Sequence, residues 1–291
     1  MVEVQELESG LQNRSIFFEM EKYNSGRKVA AVTKNLAAAL LLLPLIAGFS
    51  GNLFAQNYKK AQWSRVKMDS TWNCSTGKAT QVIDKYRPSV DSLLLPIGST
   101  DEELTSYPPE DKLSNFAGDV MLAFGNKWLA ENVGADVKAD MSITNFGGIR
   151  ASMPCGTVTS FDIISIFPFD NKIMILDLEG KYVRMLMENF AKRARVEAMG
   201  GVRLKIDHNQ LVECTVAGEP IDDSRIYKVV TIDFLLGGGD SVFALKYASK
   251  AEDTGLFMRD VVIAHIRELT AQGKKVEAQK DGRAVVIKEK K

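Results

Sequence analysis

The chain holds two histidines and three cysteines in 291 residues, and that scarcity narrows the chemistry open to it. A two-metal hydrolase gathers Asp, His and Asn around its ions. No Asp-x-His, Gly-Asn-His or His-x-His occurs, and His208 and His265 stand far apart in the chain. Cys74, Cys155 and Cys214 form no Cys-x-x-Cys pair, which leaves neither a zinc site nor a disulfide framework, though one pair could close in an oxidising compartment. Gly-x-Ser-x-Gly is absent as well, removing the serine-hydrolase elbow. Basic surplus is also lacking: 37 Lys+Arg balance 37 Asp+Glu, so counterion-release binding of nucleic acid is not expected. The longest apolar run, Leu36–Ser50, falls short of the roughly 20 residues a membrane span requires.

What is present begins with that run. Lys22, Arg27, Lys28 and Lys34 precede it, and small Ala55 follows before Gln56. A basic stretch, a leucine-rich stretch and a small-residue end predict a secretory signal, with no stable span after cleavage. Met20 is the more natural start, so residues 1–55 read as an over-extended N-terminus plus signal, and an uncleaved anchor is the alternative. Residues 56–77 are polar with scattered Trp63 and Trp72, and read as a tether. The organised part is residues 78–291, in a chain exported to the periplasm or the cell exterior.

In that part, Lys78–Leu95 has helical apolar spacing through Val82, Ile83 and Tyr86 until Pro88 interrupts it. Ile97–Pro109 reads as a loop. The strongest helix is 113–133, whose stripe of Leu113, Phe116, Val120, Met121, Phe124 and Trp128 should lie on a sheet, with Gly134 ending it. Strands are predicted at 140–144, 172–178 and 227–232. A short helix is expected over 162–167, an amphipathic one over 181–194 and a last one over 256–269, with the chain from 241 to 255 as loop. Residues 202–206 and 211–216 alternate around a polar turn at Asp207–Gln210, a hairpin with solvated His208 at its tip. Ala284–Ile287 is a final edge strand. Mixed helices and strands with an antiparallel hairpin give an α+β fold with a mixed sheet and packed helices.

Two stretches point to a ligand. A strand leads into Asn145-Phe-Gly-Gly-Ile-Arg150, where a glycine pair followed by arginine fits an anion or ligand loop, or equally a tight turn with Arg150 solvated. Another strand leads into Phe234-Leu-Leu-Gly-Gly-Gly-Asp240. Three glycines imply a positive-φ turn or a ligand against the main chain. The same letters also fit a plain turn with Phe234 in the core.

With Leu113-Ser-Asn-Phe-Ala-Gly-Asp119 and Phe167-Pro-Phe-Asp-Asn171 added, the order and spacing of the four pieces resemble the C-terminal domain of the 5'-nucleotidase family over about 78–288. That resemblance implies a nucleotide-binding domain. Phe169 and Phe234 would sandwich the base, Asn145 and Asn171 would face it, and Asp240, with Gly238 in its glycine run, would take the ribose hydroxyls. Arg150 would stand near the ribose and phosphate. Stacking on aromatic rings suits any base, a carboxylate suits a cis-diol, and arginine suits phosphate oxygens. Two departures stand out: Thr105–Lys112 carries Tyr107 and Lys112 but no arginine, and Asp170 stands where glycine is common, which would narrow the base slot.

In that family the two-metal hydrolytic centre belongs to a separate N-terminal domain. No catalytic residue, metal ligand or cofactor is therefore assigned to this chain. The resemblance implies a recognition subunit that holds nucleotide or nucleoside while a separately encoded metallophosphoesterase supplies metals and catalysis. The alternatives are a stand-alone nucleoside-binding protein that scavenges or senses, and a degenerate domain kept only for assembly.

Overall fold

Residues 78–287 are described by a computed structural model. The N-terminal extension, signal, tether and Cys74 lie outside them.

Helix α1 (Lys78–Leu93) runs through Pro88 instead of ending there. Every residue from 81 to 92 is exposed, so water can serve the carbonyl that the proline leaves without a donor. Its apolar stripe is therefore not core: Val82, Ile83, Tyr86 and Val90 all face solvent. Strand β1 (Pro96–Thr100) follows where a loop is expected, and pairs antiparallel with β3 (Gly156–Thr159).

Helix α2 (Lys112–Asn132) bears out its stripe where the sheet lies beneath it. Leu113, Phe116, Val120 and Met121 are buried, while Phe124 and Trp128 are half-buried. Asp111 caps it in a reciprocal box with Ser114, satisfying donors that a helix start leaves free. The helix comes so close to the sheet that a Cβ at Gly118 would lie 2.5 Å from the Met199 carbonyl carbon. Only glycine leaves room there. Ser142 ties the contact together, donating to the Gly118 carbonyl at 2.6 Å and accepting from the Gly200 amide at 3.1 Å.

The central sheet is built from β2 (Met141–Thr144), β4 (Lys172–Glu179), β5 (Ala198–Gly200), β9 (Ile226–Ile232) and β10 (Lys250–Phe257). Its five strands lie in the order β10-β4-β9-β2-β5. Only β2 and β9 pair in parallel; the other neighbours are antiparallel. All four residues of β2 are buried, as a strand covered on both faces should be. Polar β10 is an edge strand with mostly exposed side chains, which is why its letters read as loop. Helices α3 (Ser160–Ile166) and α4 (Gly180–Arg193) flank β4 in sequence, and α3, capped by Thr159, starts two residues before the expected 162.

A second sheet comprises β6 (Val202–Asp207), β7 (Gln210–Val216), β8 (Glu219–Pro220) and β11 (Ala284–Ile287), in the order β11-β6-β7-β8. The β6–β7 hairpin turns on His208 and Asn209, both at positive φ, and His208 is exposed as expected. Helix α5 (Asp233–Leu236) follows β9, and α6 (Met258–Ala271) starts two residues later than its apolar pattern suggests. The fold is α+β with mixed sheets.

Candidate nucleotide-binding site

Register places three loops at one end of the central sheet. Ile173 at the start of β4 sits opposite Ile232 at the end of β9, and Ser142 of β2 pairs with Val230 of β9. The chain leaving β2 (Asn145–Arg150), the chain entering β4 (Phe167–Asn171) and the chain leaving β9 (Phe234–Asp240) therefore meet at the same edge. Two of the three are carboxyl ends of parallel neighbours, a place where α/β sheets commonly take ligands.

The closest union is between the first and third loops. Asn145 Nδ2 donates to Asp240 Oδ2 at 2.6 Å. Gly147 lies beneath the same oxygen, since a Cβ there would stand 3.8 Å from it. Asp240 and Ser241 both take positive φ, 49° and 61°, after Gly238 at 90°. Two non-glycine residues in the left-handed region are a strained arrangement of the kind that concentrates at functional sites. The Asp240 backbone carbonyl is held in turn by Arg193 Nη1 at 2.7 Å.

Phe234 is not core. It is 46% exposed, and its ring lies against the backbone of Gly239, where a Cβ would come within 2.4 Å of it. Phe169, 48% exposed, lines a small recess with Thr144, Gly148, Phe167, Asn171 and Met258. Among the described residues, neither ring is stacked on another aromatic ring. Asn171 is anchored through its carbonyl, which accepts from the Met258 amide at 2.9 Å. Arg150 is exposed; its Nη1 reaches the Gly147 carbonyl at only 3.3 Å, a tether loose enough to release for an anion.

The two departures have structural partners. Lys112 pairs with Glu102 at 2.5 Å, and Asp170 pairs with Arg259 at 2.5 Å. His265 is half-buried beside Phe116, with ring centroids 6.0 Å apart, and burial holds its imidazole below the usual range.

Three residues that the motifs do not point to complete the surroundings. Arg193 closes α4, while Arg195 and Glu197 lie between α4 and β5. Glu197 is fully buried and accepts from the Phe146 amide at 2.9 Å. The available signal is an acid inside the apolar run Val196–Met199, directly before a glycine pair. Among the described residues, no group of three or more His, Cys, Asp or Glu is placed to hold a metal ion, so they offer no donor set for a two-metal centre.

The chain is similar to several curated proteins and solved structures. The chain is 27% identical to the trifunctional nucleotide phosphoesterase YfkN of Bacillus subtilis, over 71% of this chain and 15% of that protein. It is 29% identical to the cell wall protein Lmo0130 of Listeria monocytogenes, over 60% of this chain and 24% of the relative. The crystal structure of a 5'-nucleotidase precursor from Thermus thermophilus aligns with a TM-score of 0.60 at 27% identity, covering 72% of this chain and 43% of that one. The Haemophilus influenzae NAD nucleotidase, at 21% identity and a TM-score of 0.55, shares the fold, with 71% of this chain and 40% of that one covered. This chain thus spans less than half the length of each of these proteins. The family model of the 5'-nucleotidase C-terminal domain matches residues 96–247, more than half of the sequence, and the chain belongs to that family.

Proposed function

We propose that this chain is the exported recognition subunit of a split 5'-nucleotidase-type phosphohydrolase. In this reading Phe169 and Phe234 stack the base and Asp240 accepts from the ribose hydroxyls. Asn145 and Asn171 face the base, and Arg150 reaches the phosphate. Metals and the attacking water belong to a separately encoded metallophosphoesterase.

The observation that carries the reading is the meeting of Asn145 and Asp240 at 2.6 Å, at the sheet end that also presents two half-open phenylalanine rings. Stacking on such rings contributes about 1–3 kcal/mol per base whatever the base. The carboxylate adds a preference for a cis-diol, since hydrogen bonds to a charged group exceed neutral ones. The subunit's catalytic contribution is orientation: it holds the nucleotide so that the partner's water meets phosphorus in line. Export rests on the basic-then-apolar pattern ending near Ala55, and a relative described as a cell wall protein is consistent with it. Among the described residues no helix is long and apolar enough to cross a membrane.

The test is calorimetric titration of the purified chain with adenosine, AMP and UMP, followed by AMP hydrolysis with Mn²⁺ or Zn²⁺ and no partner. The proposal expects binding of all three ligands and no metal-dependent phosphate release. Robust release by this chain alone refutes the division of labour, and absence of any binding refutes the recognition role.

A further inference from the structure

Glu197 and Arg195 form a device beside Asp240 that the base-and-ribose reading leaves unused. Strand β5 runs antiparallel to β2 with Ala198 opposite Thr144, so the next position brings Glu197 across from Asn145. The Glu197 side chain is 0% exposed. One of its oxygens, Oε2, accepts the Phe146 amide at 2.9 Å. The other, Oε1, has no hydrogen-bond partner and faces Arg195 Nε at 3.6 Å. The same guanidinium places Nη2 3.8 Å from Asp240 Oδ1. Arg195 is thus suspended between two carboxylates and hydrogen-bonded to neither, while Asp240 Oδ1 is left open.

We infer that Glu197 is a positioning residue for the ribose end of the site: it holds Arg195 back from Asp240 and fixes the Asn145–Phe146 turn, so that Asp240 keeps one oxygen free for a diol. The inference rests on the nucleoside-binding reading above. Ionised Glu197 shares the arginine. Once Glu197 is neutral, Asp240 is the remaining acid within reach, and Arg195, 53% exposed and free to swing, closes on it. A closed Arg195–Asp240 pair competes directly with the ribose hydroxyls.

The charged groups around Glu197 set when this happens. Burial pushes its carboxyl above the ordinary glutamate range. The Phe146 amide, Arg195 and more distant Arg193 oppose that shift, and Asp240 adds to it. Preference for ribose over 2'-deoxyribose should therefore be lost on acidification sooner than an ordinary carboxylate would dictate.

The experiment measures dissociation constants for adenosine and 2'-deoxyadenosine between about pH 5.5 and pH 8 on the full chain. Wild type should prefer adenosine by about tenfold at the upper end, the worth of one charged hydrogen bond, and lose that preference on acidification. Glu197→Gln keeps the acceptor for Phe146 but not the charge, and should show a weak preference at every pH. Arg195→Gln removes an exposed arm without disturbing the core; it should keep the preference and flatten its pH dependence. Wild-type profiles in Arg195→Gln, or in a folded Glu197→Gln, overturn the inference. Amide NMR of the ligand-free protein separates this outcome from failure of the nucleoside reading. The Phe146 backbone amide and the Asn145 side-chain amide should titrate together in wild type and not in Glu197→Gln. Independent titration of the two overturns the inference even if nucleosides bind, and joint titration without nucleoside binding upholds the coupling and condemns the ligand assignment.

Discussion

Gly239→Ala is the most discriminating substitution in the site because it acts on a ring without touching it chemically. A Cβ at residue 239 would stand 2.4, 2.5 and 2.7 Å from three carbons of the Phe234 ring. Contacts that short force something to move. The backbone at Gly239 is not left-handed, so alanine fits it without strain. Phe234 is 46% exposed and at the end of a flexible side chain, so the ring is what yields, swinging off the backbone it lies against. Stability should change by less than about 1 kcal/mol, as for a surface substitution. Binding should lose what one face of the proposed base sandwich would supply, about 1–3 kcal/mol, or roughly five- to 150-fold in Kd, for purine and pyrimidine alike. Calorimetry with adenosine, AMP and UMP measures it, beside Phe234→Ala and the double variant. If the loss passes through the ring, Gly239→Ala costs almost nothing once Phe234 is already alanine, and the cycle shows a coupling close to the full single effect. An equal loss in both backgrounds refutes the reasoning, as does a loss confined to one base.

Other expectations follow from the same geometry. Gly118→Ala drives a Cβ into the Met199 carbonyl and should destabilise by about 1–3 kcal/mol in urea unfolding, with no separate effect on nucleoside affinity at a temperature where the variant is folded. Asp240→Asn should weaken adenosine more than 2'-deoxyadenosine, and an equal loss for both denies the carboxylate its ribose role. For Glu197, the folded protein holds its proton to higher pH than the unfolded chain, so this group's contribution to stability is greatest below the unfolded pKa and declines as pH rises through the folded one. The stability of Glu197→Gln relative to wild type should therefore increase from about pH 4 to pH 7 in denaturant titrations, and a flat difference contradicts it. Burial pushes the Cys214 thiol up to about 11, whereas Cys155 is exposed, so peptide mapping after brief alkylation near neutral pH should find Cys155 modified well before Cys214.

Much of this fold is written in periodicity. The α2 stripe, the alternation of β6 and β7, and the β-branched run of β9 each declare an element that buries one face, and each is legible for that reason. What escapes has a common cause. Strand β1 is spelled Pro-Ile-Gly-Ser-Thr and β10 is mostly polar, and both lie at margins where pairing comes from a neighbour rather than from their own letters. Pro88 misleads in the opposite direction, because an exposed helix has water to replace the bond that proline removes. In the site, the glycine-rich loops announce themselves, but Arg193, Arg195 and Glu197 do not. Glu197 comes to the Asp240 loop through the pairing of β5 with β2, and Arg193 through a hydrogen bond from the end of α4, contacts between distant segments that no local pattern encodes.

The four motifs that carry the family resemblance divide by what their side chains touch. In Leu113–Asp119 the polar groups are already engaged: Asn115 donates to Glu110 and to the Gln279 carbonyl, both at 2.8 Å, and Asp119 takes both ends of the Arg283 guanidinium. Gly118 completes the set by meeting the sheet backbone. That motif fastens α2 and the C-terminal segment to the domain and has nothing left over for a ligand. The other three motifs are the reverse. They leave two rings about half open, an arginine with one long tether and a carboxylate oxygen that has an ion pair at 3.8 Å but no hydrogen bond, all at one end of the central sheet. Groups left under-used on a fixed frame are what a binding site requires before its ligand arrives, because the cost of ordering them is met in folding rather than in association. The division predicts how variants sort: changes in the first motif should appear in melting temperature, and changes in the other three in affinity.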